Sequence, residues 1–110
     1  MERDLRVYLE DVVSAVKIIE QYTKGISYKT FSKSLMIQDA AIRRLIVIGE
    51  AFSRYKHLVP KDNPNFPHIQ AISMKNFLVH EYEKVELSIV WNTIKEDLPD
   101  LKKKIEKLLK

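Results

Sequence analysis

The scarcity of glycine and proline is the feature that most constrains the fold of this chain. Its 110 residues contain two glycines and four prolines, and three of the prolines cluster at Pro60, Pro64 and Pro67. These residue types most often interrupt helices and mark turns, so their distribution favours long helices with one obvious loop. No stretch alternates apolar and polar residues as a strand does, and no segment repeats. We therefore predict an all-α fold.

Apolar residues recur at three- and four-residue steps, as they do on the buried face of an amphipathic helix. The first stripe predicts a helix over about residues 3–24 that ends near Gly25. Ser27 can cap a short helical turn after it. The next stripe predicts a second long helix over about residues 37–55, antiparallel to the first. Gly49 inside this helix indicates close packing against another helix.

The proline cluster separates these helices from the C-terminal half. A loop is predicted over residues 57–66, and Pro67 suits the first turn of a helix because its missing N–H would have no partner there. That helix should extend to about Tyr82. A further apolar stripe over residues 87–98 follows, and Pro99 can begin a last helix. The prediction is an antiparallel bundle of four main helices plus a short one.

Length and composition agree with one folded unit. A chain of 110 residues has the common size of a single domain, and 45% hydrophobic with 31% charged residues is typical of a globular protein. We therefore predict one helical domain spanning residues 1–110. The absence of cysteine is compatible with a reducing cytosol, and no apolar run approaches the roughly 18 residues of a membrane span. We expect a cytoplasmic protein without a membrane anchor.

Charge alone does not identify a ligand. The net charge of +4 would help to attract a polyanion, but it could equally serve solubility. The lysines between residues 102 and 110 interleave with apolar residues, a pattern typical of the solvated face of a terminal helix. A zinc-type His-Glu-x-x-His pattern fails because Lys84 stands four residues after His80. Two isolated glycines cannot form a phosphate-binding loop, so we expect neither a metal nor a cofactor.

The candidate site lies between residues 75 and 82. On a helix, Asn76 and His80 lie one turn apart, while Lys75 and Tyr82 lie two turns apart on a neighbouring stripe. Apolar residues share this broad face, which implies a covering partner such as a second copy of the chain. These apolar residues are Ile69, Ile72 and Val79.

Each of these polar residues also has a simpler interpretation. A histidine one turn after an asparagine is more often structural than catalytic. A single lysine is usually a surface cation, and a single tyrosine most often packs in a core or an interface. A helical dimer with a structural His80 therefore stays open as an interpretation of the residues alone.

The segment Lys75-Asn-Phe-Leu-Val-His80-Glu-Tyr82 resembles the Arg-x4-His-x-Tyr signature of toxin-type HEPN domains, often written Arg-Asn-x-Leu-x-His-x-Tyr. Other segments resemble the long central helix and the C-terminal part of the same family. They are Gln38-Asp39-Ala40, Arg43, Ile48-Gly49-Glu50-Ala51, Val90-Trp91 and Asp97-Leu98-Pro99. The similarity spans nearly the whole chain, and the segments together are more specific than the His-x-Tyr pair.

This resemblance implies a HepT-like toxin of a type VII-like toxin–antitoxin pair. Such HEPN proteins are helical homodimers, usually encoded beside a minimal nucleotidyltransferase antitoxin, and active members are metal-independent endoribonucleases with the two motifs in one cleft between subunits. The resemblance assigns His80 as the catalytic histidine and Asn76 as the adjacent polar residue. It assigns Tyr82 as the residue that some antitoxins modify with AMP. RNA is the implied substrate.

Lys75 departs from the family pattern, because it stands where the family has arginine. Arginine presents a planar fork to two phosphate oxygens, whereas lysine presents a point charge that can still neutralise a phosphorane-like transition state. We therefore retain Lys75 as the catalytic cation. The alternative hypothesis is a HEPN dimer that has lost nuclease activity with its arginine and serves as the partner subunit of a nucleotidyltransferase.

Overall fold

The computed structural model describes residues 3–55 and 66–110, apart from the side chain of Tyr82. The α-helices are α1 (Arg3–Thr23), α2 (Tyr28–Lys33), α3 (Leu35–Tyr55), α4 (His68–His80), α5 (Leu87–Asn92) and α6 (Leu98–Leu109). A short 3₁₀ helix, Tyr82–Lys84, follows α4, and a π-helical segment, Thr93–Asp97, joins α5 to α6. The described residues include no strand, which confirms the all-α prediction. Of the predicted loop, residues 57–65 lie outside the described residues.

The first turn between helices follows the local sequence signals. Gly25 has φ +73°, in the left-handed region that glycine adopts without a Cβ penalty, and it follows the end of α1. Ser27 then caps α2, where its hydroxyl accepts a hydrogen bond from the Thr30 N–H at 3.2 Å. The predicted stop near Gly25 and the short helix after it are both confirmed.

The prediction that Pro99 begins a separate last helix is only partly right. The residues that join α5, the π-helical segment and α6 all have right-handed helical dihedral angles, so the chain winds on from residue 87 to residue 109. Pro99 is the second residue of α6. A proline there lacks the N–H that would bond to residue 95 and crowds that carbonyl group. The wider π-helical turn lies immediately before the proline, where an ordinary α-turn cannot form its hydrogen bond.

Helix α3 lies at the centre of the bundle and packs against α1 and α4, while α6 packs against α1. The rings of Tyr8 and Tyr55 stack with centroids 4.9 Å apart, so the start of α1 lies beside the end of α3. This contact confirms the two long helices as an antiparallel pair. Arg6 donates to the Leu109 carbonyl and Lys102 pairs with Glu20, so α6 is also antiparallel to α1.

The core is mainly aliphatic, with aromatic rings around Phe52 at one end and around Phe31 at the other. Phe52 is fully buried between Tyr8 and Phe66, whose rings lie 6.0 and 5.8 Å from its own. Burial raises the pKa of the Tyr8 hydroxyl to about 12, because the phenolate would lose its hydration there. In the described ranges, no helix is both long enough and apolar enough to cross a bilayer.

Gly49 allows α4 to lie unusually close to α3. A Cβ atom built on Gly49 would collide with Cβ of Lys75 and would lie 2.8 Å from the Ala71 carbonyl oxygen. Phe66, just before the start of α4, contacts Phe52, which lies nearer the end of α3 than Gly49 does, so α4 runs antiparallel to α3. The predicted close packing at Gly49 is confirmed, and its partner is the stem of Lys75.

We expect Gly49→Ala to destabilise the fold, although alanine is the better helix former. The added methyl group must displace helix backbone, and overpacking of this kind costs about 1–3 kcal/mol. Thermal unfolding at a fixed protein concentration would measure the effect as a melting temperature several degrees lower. Arg43→Ala, at an exposed position of the same helix, is the control and should melt like the wild type. A Gly49→Ala variant as stable as this control would contradict the close approach.

Candidate active site

Helix α4 carries the predicted site and packs against the rest of the protein mainly through one of its sides. Leu78 is its only buried residue, and α4 packs principally against α3. The outward side chains include Ile69, Phe77 and Val79, which are 65%, 40% and 48% exposed. Ile72, predicted on the motif face, is instead partly buried against the core, because that edge of α4 turns towards α3.

Lys75 lies partly beneath this surface, with only 13% of its side chain exposed. Its stem packs against the backbone at Gly49, and its Nζ donates a hydrogen bond of 2.6 Å to Oδ1 of Asn76. An ammonium group can only donate, so the oxygen of the Asn76 amide must face it. The amide N–H groups of the exposed Asn76 are thereby left to bind a different acceptor.

Glu50 is a site residue that sequence reasoning missed. Its Oε1 lies 3.8 Å from Nζ of Lys75, but 62% of its side chain is exposed, so water screens much of the attraction. The sequence feature that could have identified Glu50 is its position beside Gly49, because a residue next to a close helix contact can reach the neighbouring helix. The ammonium of Lys75 therefore has two oxygen neighbours, the amide of Asn76 and the carboxylate of Glu50.

His80 is the last residue of α4 and is exposed. It lies one helical turn beyond Asn76, as predicted, and none of the described residues forms a hydrogen bond with its imidazole ring. One ring nitrogen can accept a proton while the other donates one. The side chain is therefore accessible to a substrate and is not held by a hydrogen bond from any residue that the structure describes.

Tyr82 begins the 3₁₀ helix just beyond α4. Its side chain is outside the described part of the structure, so its predicted place on the motif face stays a prediction. Among the described residues, no three potential ligands cluster closely enough to hold a metal ion.

The site brings a cation, an amide and an imidazole to one end of α4. Lys75 and Asn76 are in direct contact, and His80 follows one turn later. A cation and an amide donor can stabilise charge that develops on phosphate oxygens, and an imidazole can move protons. The exposed apolar side chains beside them provide a surface from which a second molecule could exclude water.

Comparisons with known proteins identify relatives along most of the chain. A family model described as Ribonuclease HepT-like matches residues 12–108. A protein of Thermococcus cleftensis named "Probable ribonuclease HepT" is 37% identical over 110 residues, covering 100% of both chains. A protein named "Putative RNase" from Methanocaldococcus jannaschii is 32% identical over 105 residues, covering 96% of each chain. One of the same name from Caldanaerobacter subterraneus subsp. tengcongensis is 31% identical over 104 residues, covering 94% of this chain and 93% of its own. No solved structure gives a significant match.

Proposed function

Because the chain belongs to the HepT-like ribonuclease family, we propose that it is a metal-independent endoribonuclease and the toxin of a type VII-like toxin–antitoxin pair. The observation that carries this proposal is the accessible end of α4, where Lys75 and Asn76 are in contact and His80 lies one turn away. These side chains can supply three functions that cleavage of a phosphodiester requires: charge neutralisation, orientation and proton transfer.

In the proposed reaction, His80 acts through proton transfer. The RNA 2′-hydroxyl attacks the adjacent phosphorus atom as His80 of one subunit removes its proton. The bond to the 5′-oxygen breaks, and His80 of the second subunit protonates that oxygen. The products are a 2′,3′-cyclic phosphate and a 5′-hydroxyl. Histidine suits both roles, because an ordinary imidazole with a pKa of about 6.5 is present in both protonation states near neutral pH.

Lys75 and Asn76 act on the phosphate. The contact between them fixes the amide so that its N–H groups can donate to a phosphate oxygen, while the ammonium stabilises the added negative charge. Glu50 is a second, weaker neighbour of the same ammonium, with its Oε1 at 3.8 Å. A substrate phosphate would compete with Glu50 for Lys75, and the exposed carboxylate can move aside at little cost.

The proposal requires a homodimer, because a single His80 cannot serve as base and acid in the same step. The exposed side chains Ile69, Phe77 and Val79 flank the motif and form an apolar surface without a partner in the described chain. Covering such a surface is favourable by about 25 cal/mol per Å² of apolar area. A second copy packed there would bring the two motifs into one cleft.

We expect sedimentation velocity to show a dimer at tens of micromolar. Ile69→Glu should shift the protein to the monomer, because it would place a charge in the apolar interface. Val7→Glu makes the same kind of change at an apolar residue of α1 that is 50% exposed, away from the motif, and should leave the dimer intact. A wild-type monomer at this concentration would contradict the shared active site.

Tyr82 is the proposed site of control by the antitoxin. The HEPN resemblance matches it to the tyrosine that nucleotidyltransferase partners modify, and it follows the proposed catalytic histidine by two residues. Transfer of AMP from ATP would join the tyrosine oxygen to the α-phosphorus and release pyrophosphate. The bulky anion formed beside the motif would repel an RNA phosphate and so neutralise the toxin.

Incubation with the cognate nucleotidyltransferase and ATP should add one AMP to each chain, as measured by intact mass. Tyr82→Phe should abolish the addition, because the attacking hydroxyl is missing. Tyr28→Phe removes an exposed tyrosine hydroxyl elsewhere and should leave the addition unchanged. Modification that persists in Tyr82→Phe would assign the site to another residue.

We expect weak RNA cleavage in EDTA, yielding 2′,3′-cyclic phosphate ends. His80→Ala should lower the rate by about 10²- to 10⁴-fold, the usual contribution of a positioned acid or base. Lys75→Arg should raise the rate by restoring a two-pronged phosphate contact, and Lys75→Ala should lower it. His68→Ala replaces a histidine at the other end of the same helix and should keep the wild-type rate. An intact RNA substrate with both the wild type and Lys75→Arg would contradict the nuclease proposal.

The alternative function is a binding module that serves as the partner subunit of a nucleotidyltransferase. The observation in its favour is that Lys75 replaces the family arginine, and its ammonium is already held by Asn76 and Glu50. Growth assays with and without the neighbouring gene would separate the two functions. A toxin should arrest growth alone and be neutralised by coexpression, whereas a binding module should do neither and still copurify with its partner.

A further inference from the structure

A second polar surface lies between the end of α1 and the start of α6. It is an open cleft of about 560 Å³ whose lining includes Lys17, Lys24 and Lys95. The carboxylate in the lining is Glu20, and Nζ of Lys102 already binds its Oε1 at 2.8 Å. None of the described carboxylates forms an ion pair with the three lining lysines. The lining therefore carries more positive than negative charge.

An aromatic cluster adjoins Lys95, one of these three lysines. Nζ of Lys95 donates to the Thr23 carbonyl at 3.3 Å and lies 4.7 Å from the centroid of the Trp91 ring. The Trp91 ring lies 5.0 Å from that of Phe31 and 6.1 Å from that of Tyr28. Tyr28 is 41% exposed, so part of this aromatic residue is accessible next to the contact between Lys95 and Trp91.

The cluster lies at the same end of the bundle as His80. Nε2 of Gln38, near the start of α3, donates to the Phe31 carbonyl at 2.8 Å, which fixes α2 and the Trp91 cluster at this end. Helix α4 is antiparallel to α3, so its last residue also points towards the start of α3. His80 and the Trp91 cluster therefore both lie towards the start of α3.

We propose that this cleft is a second binding site for single-stranded RNA, in which Lys17, Lys24 and Lys95 contact phosphates and Tyr28 stacks on a base. The inference rests on the proposed ribonuclease function, because it assigns the path of the substrate beyond the scissile bond. Lysines beside exposed aromatic rings are how proteins hold single strands without reading their sequence. A double helix keeps its bases stacked inside and would not use the tyrosine.

The direct test is binding of a labelled single-stranded RNA of about twelve nucleotides, measured by fluorescence anisotropy in a His80→Ala background so that the RNA stays intact. Lys17→Gln combined with Lys24→Gln should weaken binding roughly tenfold and lower the salt slope by about 1.4, or about 0.7 for each lost phosphate contact. Both lysines are exposed, so folding should not change. Lys103→Gln with Lys107→Gln makes the same charge change on the exposed side of α6 and should leave affinity within twofold.

The aromatic contact has its own test. Tyr28→Ala should weaken binding several-fold, whereas Tyr28→Phe should restore it, because stacking needs the ring and not the hydroxyl. An equal loss of RNA affinity in Tyr28→Ala and Tyr28→Phe would overturn the stacking assignment.

Cleavage kinetics separate this inference from the proposed function. The Lys17→Gln and Lys24→Gln variant should raise KM for the long RNA, leave kcat unchanged, and cleave a dinucleotide at the wild-type rate. If the variant with Lys17→Gln and Lys24→Gln binds the RNA as tightly as the α6 control, the cleft assignment is overturned and the nuclease proposal is left intact. Wild-type protein that binds through the cleft but cleaves nothing would overturn the nuclease proposal alone. Wild-type protein that does not bind the long RNA would overturn the cleft assignment.

Discussion

The close approach of α3 and α4 at Gly49 is the contact on which the site depends. Helix α4 buries only Leu78 and has α3 as its main neighbour, so this one line of packing determines where the motif is displayed. The stem of Lys75 fills the space that a side chain at residue 49 would occupy. A long side chain can bury its methylene groups in this way and still bring its charged end to the surface. The same atoms therefore hold the helix and present the ammonium.

Much of the fold could be predicted because local signals agree with one another. The apolar stripe of α1 and the glycine at residue 25 predict the first helix and its end, and Ser27 predicts the next start. The continuation of the helix through Pro99 could not be predicted, because a proline early in a helix looks the same in sequence whether a helix begins there or a wider turn precedes it. That distinction depends on the packing of α6 against α1.

The site was predictable where it follows helical geometry. The four-residue spacing places Asn76 and His80 on neighbouring turns, and this requires no knowledge of tertiary structure. The partners of Lys75 were not predictable in the same way. Adjacent residues on a helix do not normally face each other, so the bond to Asn76 depends on the flexible lysine chain being turned back by the α3 backbone. Glu50 joins the site only through the packing of one helix against another.

The π-helical segment makes the C-terminal helix serve two different neighbours. The part before it, α5, packs beside α2, whereas the part after it, α6, packs along α1. A wide turn changes the angular phase of every residue that follows, so a single continuous helix presents two apolar stripes in different directions. Residues 93–97 thus produce the angular offset between the apolar stripe of α5 and that of α6. Each inserted or deleted residue in this segment would rotate one stripe relative to the other by about 100°, so the length of the segment sets the angle between the two stripes.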